Sequence, residues 1–186
     1  MENMQGIWKR IEAWLKDNAP EILDTLIEGA TDDDLQEIEA EMGMRLPEGV
    51  KASWQTYNGT FDAFIDGWRL HNLDEVVQQR QFMIDLFRDN EEWWNPKWLP
   101  LASDGCGDMI CIDLAPVAFY DTPSPQEQVG QIFVFWHDDV DHWLAPSFQA
   151  LFAAFTEHLE AGKYKIDEFG GLKSDNLLFW KPLKDA

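Results

Sequence analysis

Apolar residues recur at helical spacing from the start of the chain: Ile7, Trp8, Ile11, Trp14 and Leu15, with charges between them. This pattern predicts an amphipathic helix ending near Asn18–Pro20. A short helical piece is predicted around Glu21–Ile27, stopped by Gly29. TDDDLQEIEAEMG then reads as a helix with its punctuation. Thr31 caps it, Asp34 takes the capping-box position, and Asp32–Asp34 fill the first turn, where the helix dipole favours negative charge. Leu35, Ile38 and Met42 form its apolar stripe and Gly43 its stop. Pro47 suits the first turn of another helix carrying Val50, Trp54 and Tyr57 on one face, with Asn58–Gly59 as its end. The aromatic-rich TFDAFIDGWRLHNL predicts short strands around Gly67. In NLDEVVQQRQFMIDLFRD, Asn72 caps, Glu75 answers it, and Leu73, Val76, Val77, Met83, Ile84 and Phe87 pack.

The second half has a different rhythm. Residues 98–103, 109–114 and 131–137 are short apolar runs bounded by turn residues, which predicts strands. Phe148, Leu151, Phe152, Phe155 and Leu159 mark one further helix. Helices, a few strands, a helix, a strand meander and a closing helix make an α+β fold. We expect a single domain over 1–186, an antiparallel sheet with N-terminal helices packed on it, and a closing C-terminal helix. Trp98, Ile110, Ile112, Phe133 and Phe135 are expected in the core. Residues 163–186 are a C-terminal extension expected to pack on the body through Phe179 and Trp180.

Charge narrows the partners. With 35 acidic and 14 basic residues the formal net charge is −21. That argues against nucleic acid or an anionic membrane, both of which call for clustered Lys and Arg, and in favour of a basic protein. Cys106 and Cys111 have an odd spacing, which places them on opposite faces of an extended strand and argues against a disulfide or a shared metal. The N-terminus lacks the apolar region of a signal peptide, and no segment is a membrane span. A cytoplasmic location is expected.

Candidate chemistry is sparse. GCGD, at 105–108, lacks the Lys and the third glycine of nucleotide-binding loops, and Asp104 and Asp108 would repel phosphate. It reads as a tight turn whose glycines supply positive φ. HDDVDH, at 137–142, has metal-ligand residue types, yet His137 and His142 would point apart on an extended chain. It reads as an acidic loop, and no metal or cofactor is expected. No nucleophile–base–orienter set is recognisable, so no enzyme is expected. The tryptophans of EEWWNPKW could stack on a ligand in an enzyme-like pocket, although such residues more commonly build a core.

In combination these segments resemble the SUKH superfamily, the group of the yeast Smi/Knr cell-wall regulator and many bacterial immunity proteins. The resemblance rests on the N-terminal tryptophan-bearing helix, the acidic helix leading to Leu46–Pro47, and Asn58–Gly59. It continues through Trp98, Pro100, Gly105, Gly107, Asp108, Asp113 and Pro116, then GQIFVFWHDD, and Ser147–Phe148 opening the last long helix. It spans roughly residues 5–160. It implies a single α+β domain, a structural role for the Gly–Asp turn, and binding rather than catalysis.

Two functions follow as expectations. One is an immunity protein that neutralises a cognate toxin, nuclease-like and basic. The alternative is a regulatory or scaffold protein that binds a non-toxin partner. In either case Asp138, Asp139 and Asp141 are the expected steering charges and Trp93 and Trp94 the expected surface anchors.

Overall fold

The computed structural model of the chain describes residues 2–89, 93–115, 129–139, 142–175 and 182–183. The expected positions Pro116, Asp141, Phe179 and Trp180 lie outside them.

Asn3 opens the first helix, α1 (Met4–Asn18), by accepting from the Gly6 N–H at 2.8 Å. Its apolar stripe turns Ile7, Trp8, Ile11 and Leu15 fully inward. Burial of side chains of this size contributes about 1.5–3 kcal/mol each. α2 (Pro20–Leu23) is shorter than its pattern predicts, because Leu26–Glu28 leaves the helix to form strand β1. The reason is tertiary: β1 pairs antiparallel with β2 (Tyr57–Thr60), and a strand partner outweighs a weak local helix preference. α3 (Asp32–Met42) carries the Thr31–Asp34 capping box and ends at Gly43 in the left-handed conformation. α4 (Glu48–Thr56) starts one residue later than expected, with Pro47 as its N-cap, and stops at Tyr57, whose extended backbone starts β2.

After β3 (Arg69–Leu70), the Asn72–Glu75 capping box opens α5 (Leu73–Leu86). The meander then supplies β4 (Trp98–Ser103), β5 (Met109–Asp113), β6 (Gln131–Phe135) and β7 (His142–Ala145). These five strands form one antiparallel sheet in the order β3-β4-β5-β6-β7. β7 is a strand in what the sequence presents as the end of an acidic loop and the start of a helix. α6 (Phe148–Glu160) is capped by Ser147 and packs on α1, where Arg10 bridges to Glu160 at 2.5 and 2.8 Å. It is followed by a hairpin, β8 (Tyr164–Ile166) and β9 (Leu172–Ser174).

The sheet is apolar on both faces. Alternate residues Ile110, Ile112, Ile132, Val134 and Leu144 join the helices in the larger cluster. The intervening Met109, Cys111, Phe133 and Phe135, with Trp98 and Trp94, make a smaller cluster that Met83 of α5 covers. All five residues expected in the core are buried, divided between these two clusters. The hairpin is tied down at Asp66, a buried residue at φ 49°. The Asp66 carboxylate accepts from the Ser174 N–H at 2.7 Å, the Ser174 hydroxyl at 3.0 Å and the Tyr164 hydroxyl at 3.3 Å. No described helix is long and apolar enough to cross a membrane.

Candidate interaction surface

The β4–β5 turn is built by Asp104. One of its carboxylate oxygens accepts from the N–H groups of Cys106 at 2.8 Å and Asp108 at 3.2 Å. Gly105 and Gly107, at φ 79° and 115°, make the reversal that a side chain would strain. The stretch is therefore a structural turn. Cys106 is exposed on it, and Cys111 is buried in β5, so the two thiols share no site.

The turn has a second role: it holds the start of the acidic loop. Asp108 Oδ1 accepts from the His137 backbone N–H at 3.1 Å and lies 2.7 Å from His137 Nδ1. His137 thereby fixes where the chain leaves β6, and Asp138 and Asp139 follow as exposed residues. The hydrogen bond to Asp108 raises the His137 pKa above its ordinary value, and the carboxylates of Asp138 and Asp104 add to the effect. The contact favours the fold below the ordinary histidine pKa of about 6.5, and the gain fades as pH rises through the raised value. His137 should therefore titrate above the ordinary value when followed by NMR. Asp108→Asn should lower it, leaving the smaller effect of Asp138 and Asp104; an unchanged midpoint would show that Asp108 is not the cause.

His142 is engaged elsewhere, its Nδ1 accepting from the Trp136 indole N–H at 3.3 Å. The two histidines thus serve different partners, and the described residues contain no group of three or more His, Cys, Asp or Glu placed to hold a metal ion.

Of the two expected tryptophan anchors, one needs correction. Trp94 is only 2% exposed: its ring meets Trp98 and Phe135 edge-on, with centroids 5.5 and 5.4 Å away. It belongs to the smaller cluster and supports the surface from below. Trp93 is 56% exposed and lies parallel to Phe87, with centroids 6.4 Å apart and planes 8° off. Phe87 in turn meets Phe135 edge-on at 6.4 Å. This stack places Trp93 near the end of β6 from which the acidic loop departs. Asp138 is three residues past Phe135, within about 10 Å along an extended chain. Asp138, Asp139 and Trp93 are all exposed; Asp141 falls outside the described residues.

The sequence reading missed the outer face of α5. Phe82 and Leu86 are 57% and 59% exposed, one turn apart, on a flank of the helix beside the buried stripe of Leu73, Val76 and Met83. The signal was present: α5 carries apolar residues at more positions than one buried stripe needs. A small recess lined by Ser53, Trp54, His71 and Leu101 among others has room for about one water. Burial lowers the His71 pKa, so its imidazole is neutral. The Pro100 carbonyl, 3.0 Å from Nδ1, can only accept, so Nδ1 carries the proton and Nε2 accepts from the Ser103 hydroxyl at 2.9 Å. Both ring nitrogens are spent on structure.

The chain is similar to fungal regulators. It is 26% identical to the glucan synthesis regulatory protein of Neurospora crassa, over 87% of this chain and 39% of that protein. It is 26% identical to the cell wall biosynthesis/cell cycle regulator smi1 of Schizosaccharomyces pombe, over 87% of this chain and 37% of that protein. To the cell wall assembly regulator SMI1 of Saccharomyces cerevisiae it is 23% identical, over 87% and 41%. The chain thus spans about two-fifths of the length of these relatives. Residues 29–154, which run from just after β1 to the middle of α6, match the family model, and the chain belongs to the SMI1 / KNR4 family (SUKH-1).

Proposed function

We propose that this domain is a non-enzymatic, regulatory protein-interaction module that binds a basic partner. The observation that carries the reading is the likeness to proteins named as regulators of glucan synthesis and cell-wall assembly, each aligned over 87% of this chain. The surface is compatible with it: Asp138 and Asp139 are exposed, and so is Trp93, stacked on Phe87. Toxin neutralisation, the other function expected from the resemblance, draws on the −21 charge, which serves a basic regulatory partner equally well. The relatives' names favour regulation.

Charge and aromatic surface have separable duties. Carboxylates raise the encounter rate of a basic partner in a salt-dependent way, and buried anchors set the lifetime. Co-purification from the native host should recover a protein that is basic on its contacting face. With that partner, replacing Asp138 and Asp139 together by Asn should slow association a few-fold and flatten its salt dependence. Trp93→Ala should leave association nearly unchanged and speed dissociation about tenfold. Recovery of no partner, or of an acidic one with salt-independent kinetics, would refute the reading.

A further inference from the structure

We infer that His137 and Asp108 form a proton-operated clasp, which holds the start of the acidic loop on the β4–β5 turn while the imidazole is charged and loosens it when the imidazole is neutral. The inference concerns the fold itself and stands apart from the partner reading above.

The turn side of the clasp is fixed. The Asp108 side chain is only 12% exposed, and its backbone N–H is tied to the Asp104 carboxylate. The loop side is held twice at one point, since Asp108 Oδ1 meets both the His137 backbone N–H and ring Nδ1. The imidazole also lies on the backbone of Gly107. A Cβ there would stand 3.2 Å from His137 Cγ and 3.3 Å from Nδ1, so a side chain at 107 would press on the ring. The other ring nitrogen, Nε2, faces the Asp138 carboxylate at 3.9 Å. Each nitrogen therefore looks at a carboxylate oxygen, one from the turn and one from the loop. Only the imidazolium carries an N–H for both.

The charges that act on the ring have one sign. Asp108 and Asp104 do so from the turn and Asp138 from the loop, and all three favour the proton. Asp139 follows Asp138 as an exposed carboxylate, and the turn's other titratable group is the exposed thiol of Cys106. Loss of the proton leaves these carboxylates facing one another around a neutral ring. The bond from Nδ1–H to Asp108 persists, but a neutral donor makes a bond about half as strong as a charged one. Nε2 then turns a lone pair toward Asp138, and an attraction becomes a repulsion. Asp138 is 76% exposed and has the weaker hold, so the loop loosens from its outer end. Histidine is the side chain that makes this change between about pH 5 and 8. His142 is turned to the Trp136 indole instead.

The test is NMR of the full chain, labelled with 15N, through the titration of His137. Ring signals of His137 read its charge, and backbone relaxation reads the order of residues 137–139. Their order parameters should lie near about 0.85, the value of rigid backbone, while the ring is charged, and should fall toward about 0.6 along the same curve. Those of Ile110 in β5 and Val134 in β6 should not move. His137→Gln should hold residues 137–139 at the lower order at every pH, with no step. Asp138→Asn should keep the step and lower its midpoint. Unchanged order through the titration of the parent would overturn the inference, and the parent alone decides that. A step that survives His137→Gln would overturn it by assigning the change to another group. A step shared by Ile110 and Val134 would overturn it as an opening of the sheet.

Discussion

Trp8→Ala should destabilise the domain by about 3–5 kcal/mol, the range for deleting a large aromatic from a core. Trp8 is 1% exposed in the first helix and meets residues from three later parts of the chain. Its ring lies roughly parallel to Phe64 at 6.1 Å, edge-on to Tyr57 at 5.1 Å and tilted against Phe152 at 5.4 Å. Its indole N–H donates to the Ser53 hydroxyl at 2.9 Å. Truncation removes the packing and also strands the buried Ser53 hydroxyl, so no small rearrangement refills the space. Ser53→Ala isolates the second effect: it leaves a buried indole N–H without its acceptor and should cost about 1–3 kcal/mol. Urea unfolding measures both. A loss below about 1 kcal/mol for Trp8→Ala would show that α1 is not the keystone of the larger cluster.

Gly29→Ala should be comparably severe, for a different reason. A Cβ at Gly29 would stand 2.0 Å from the Gln55 carbonyl oxygen and 2.7 Å from its carbon. These are backbone atoms at the end of α4, so no rotamer change relieves the clash. Moving α4 would break the Ala30 N–H bond to the Trp54 carbonyl at 2.8 Å and pull β1 from β2. We expect about 3 kcal/mol or more, beyond ordinary overpacking. Gly49→Ala is the opposite case. Its Cβ would meet side-chain atoms at 3.6–4.0 Å, ordinary contacts, inside a helix. Relief of backbone entropy should make that variant about 0.5 kcal/mol more stable. Thermal melts of the two variants should move in opposite directions; a shared direction would mean that α4 and β1 can slide apart freely.

What the sequence shows clearly is local physics. Both capping boxes are present as read, because the groups they satisfy lie three residues apart. The three apolar runs of the meander become strands within a residue or two of their expected ends. What it conceals depends on distant partners. β1 exists because β2 is there to pair with it, and nothing within Leu26–Glu28 announces that. β7 opens with His142, whose polarity hides a strand whose inward residues are Leu144 and Ala145. Asp66 reads as one more acid in an acidic chain, since its partners Tyr164 and Ser174 lie about a hundred positions later. Trp93 and Trp94 illustrate the limit at the candidate surface. They stand in an irregular segment with no period of 3.6 or 2, so no pattern assigns them faces, and one is buried while its neighbour is not.

The ends of the five-stranded sheet have a consequence of their own. β3, at one end, is two residues long. At the other end the Leu144 carbonyl of β7 already accepts from the Leu183 N–H at 2.7 Å, so the chain's own later segment occupies that position. Long, unpaired strand borders are the templates on which proteins zip into fibrils. Here the border is too brief on one side and partly taken on the other, which shields a strongly β-forming meander from growing by strand addition. The same shielding leaves an incoming protein side chains to hold on to, and little open backbone.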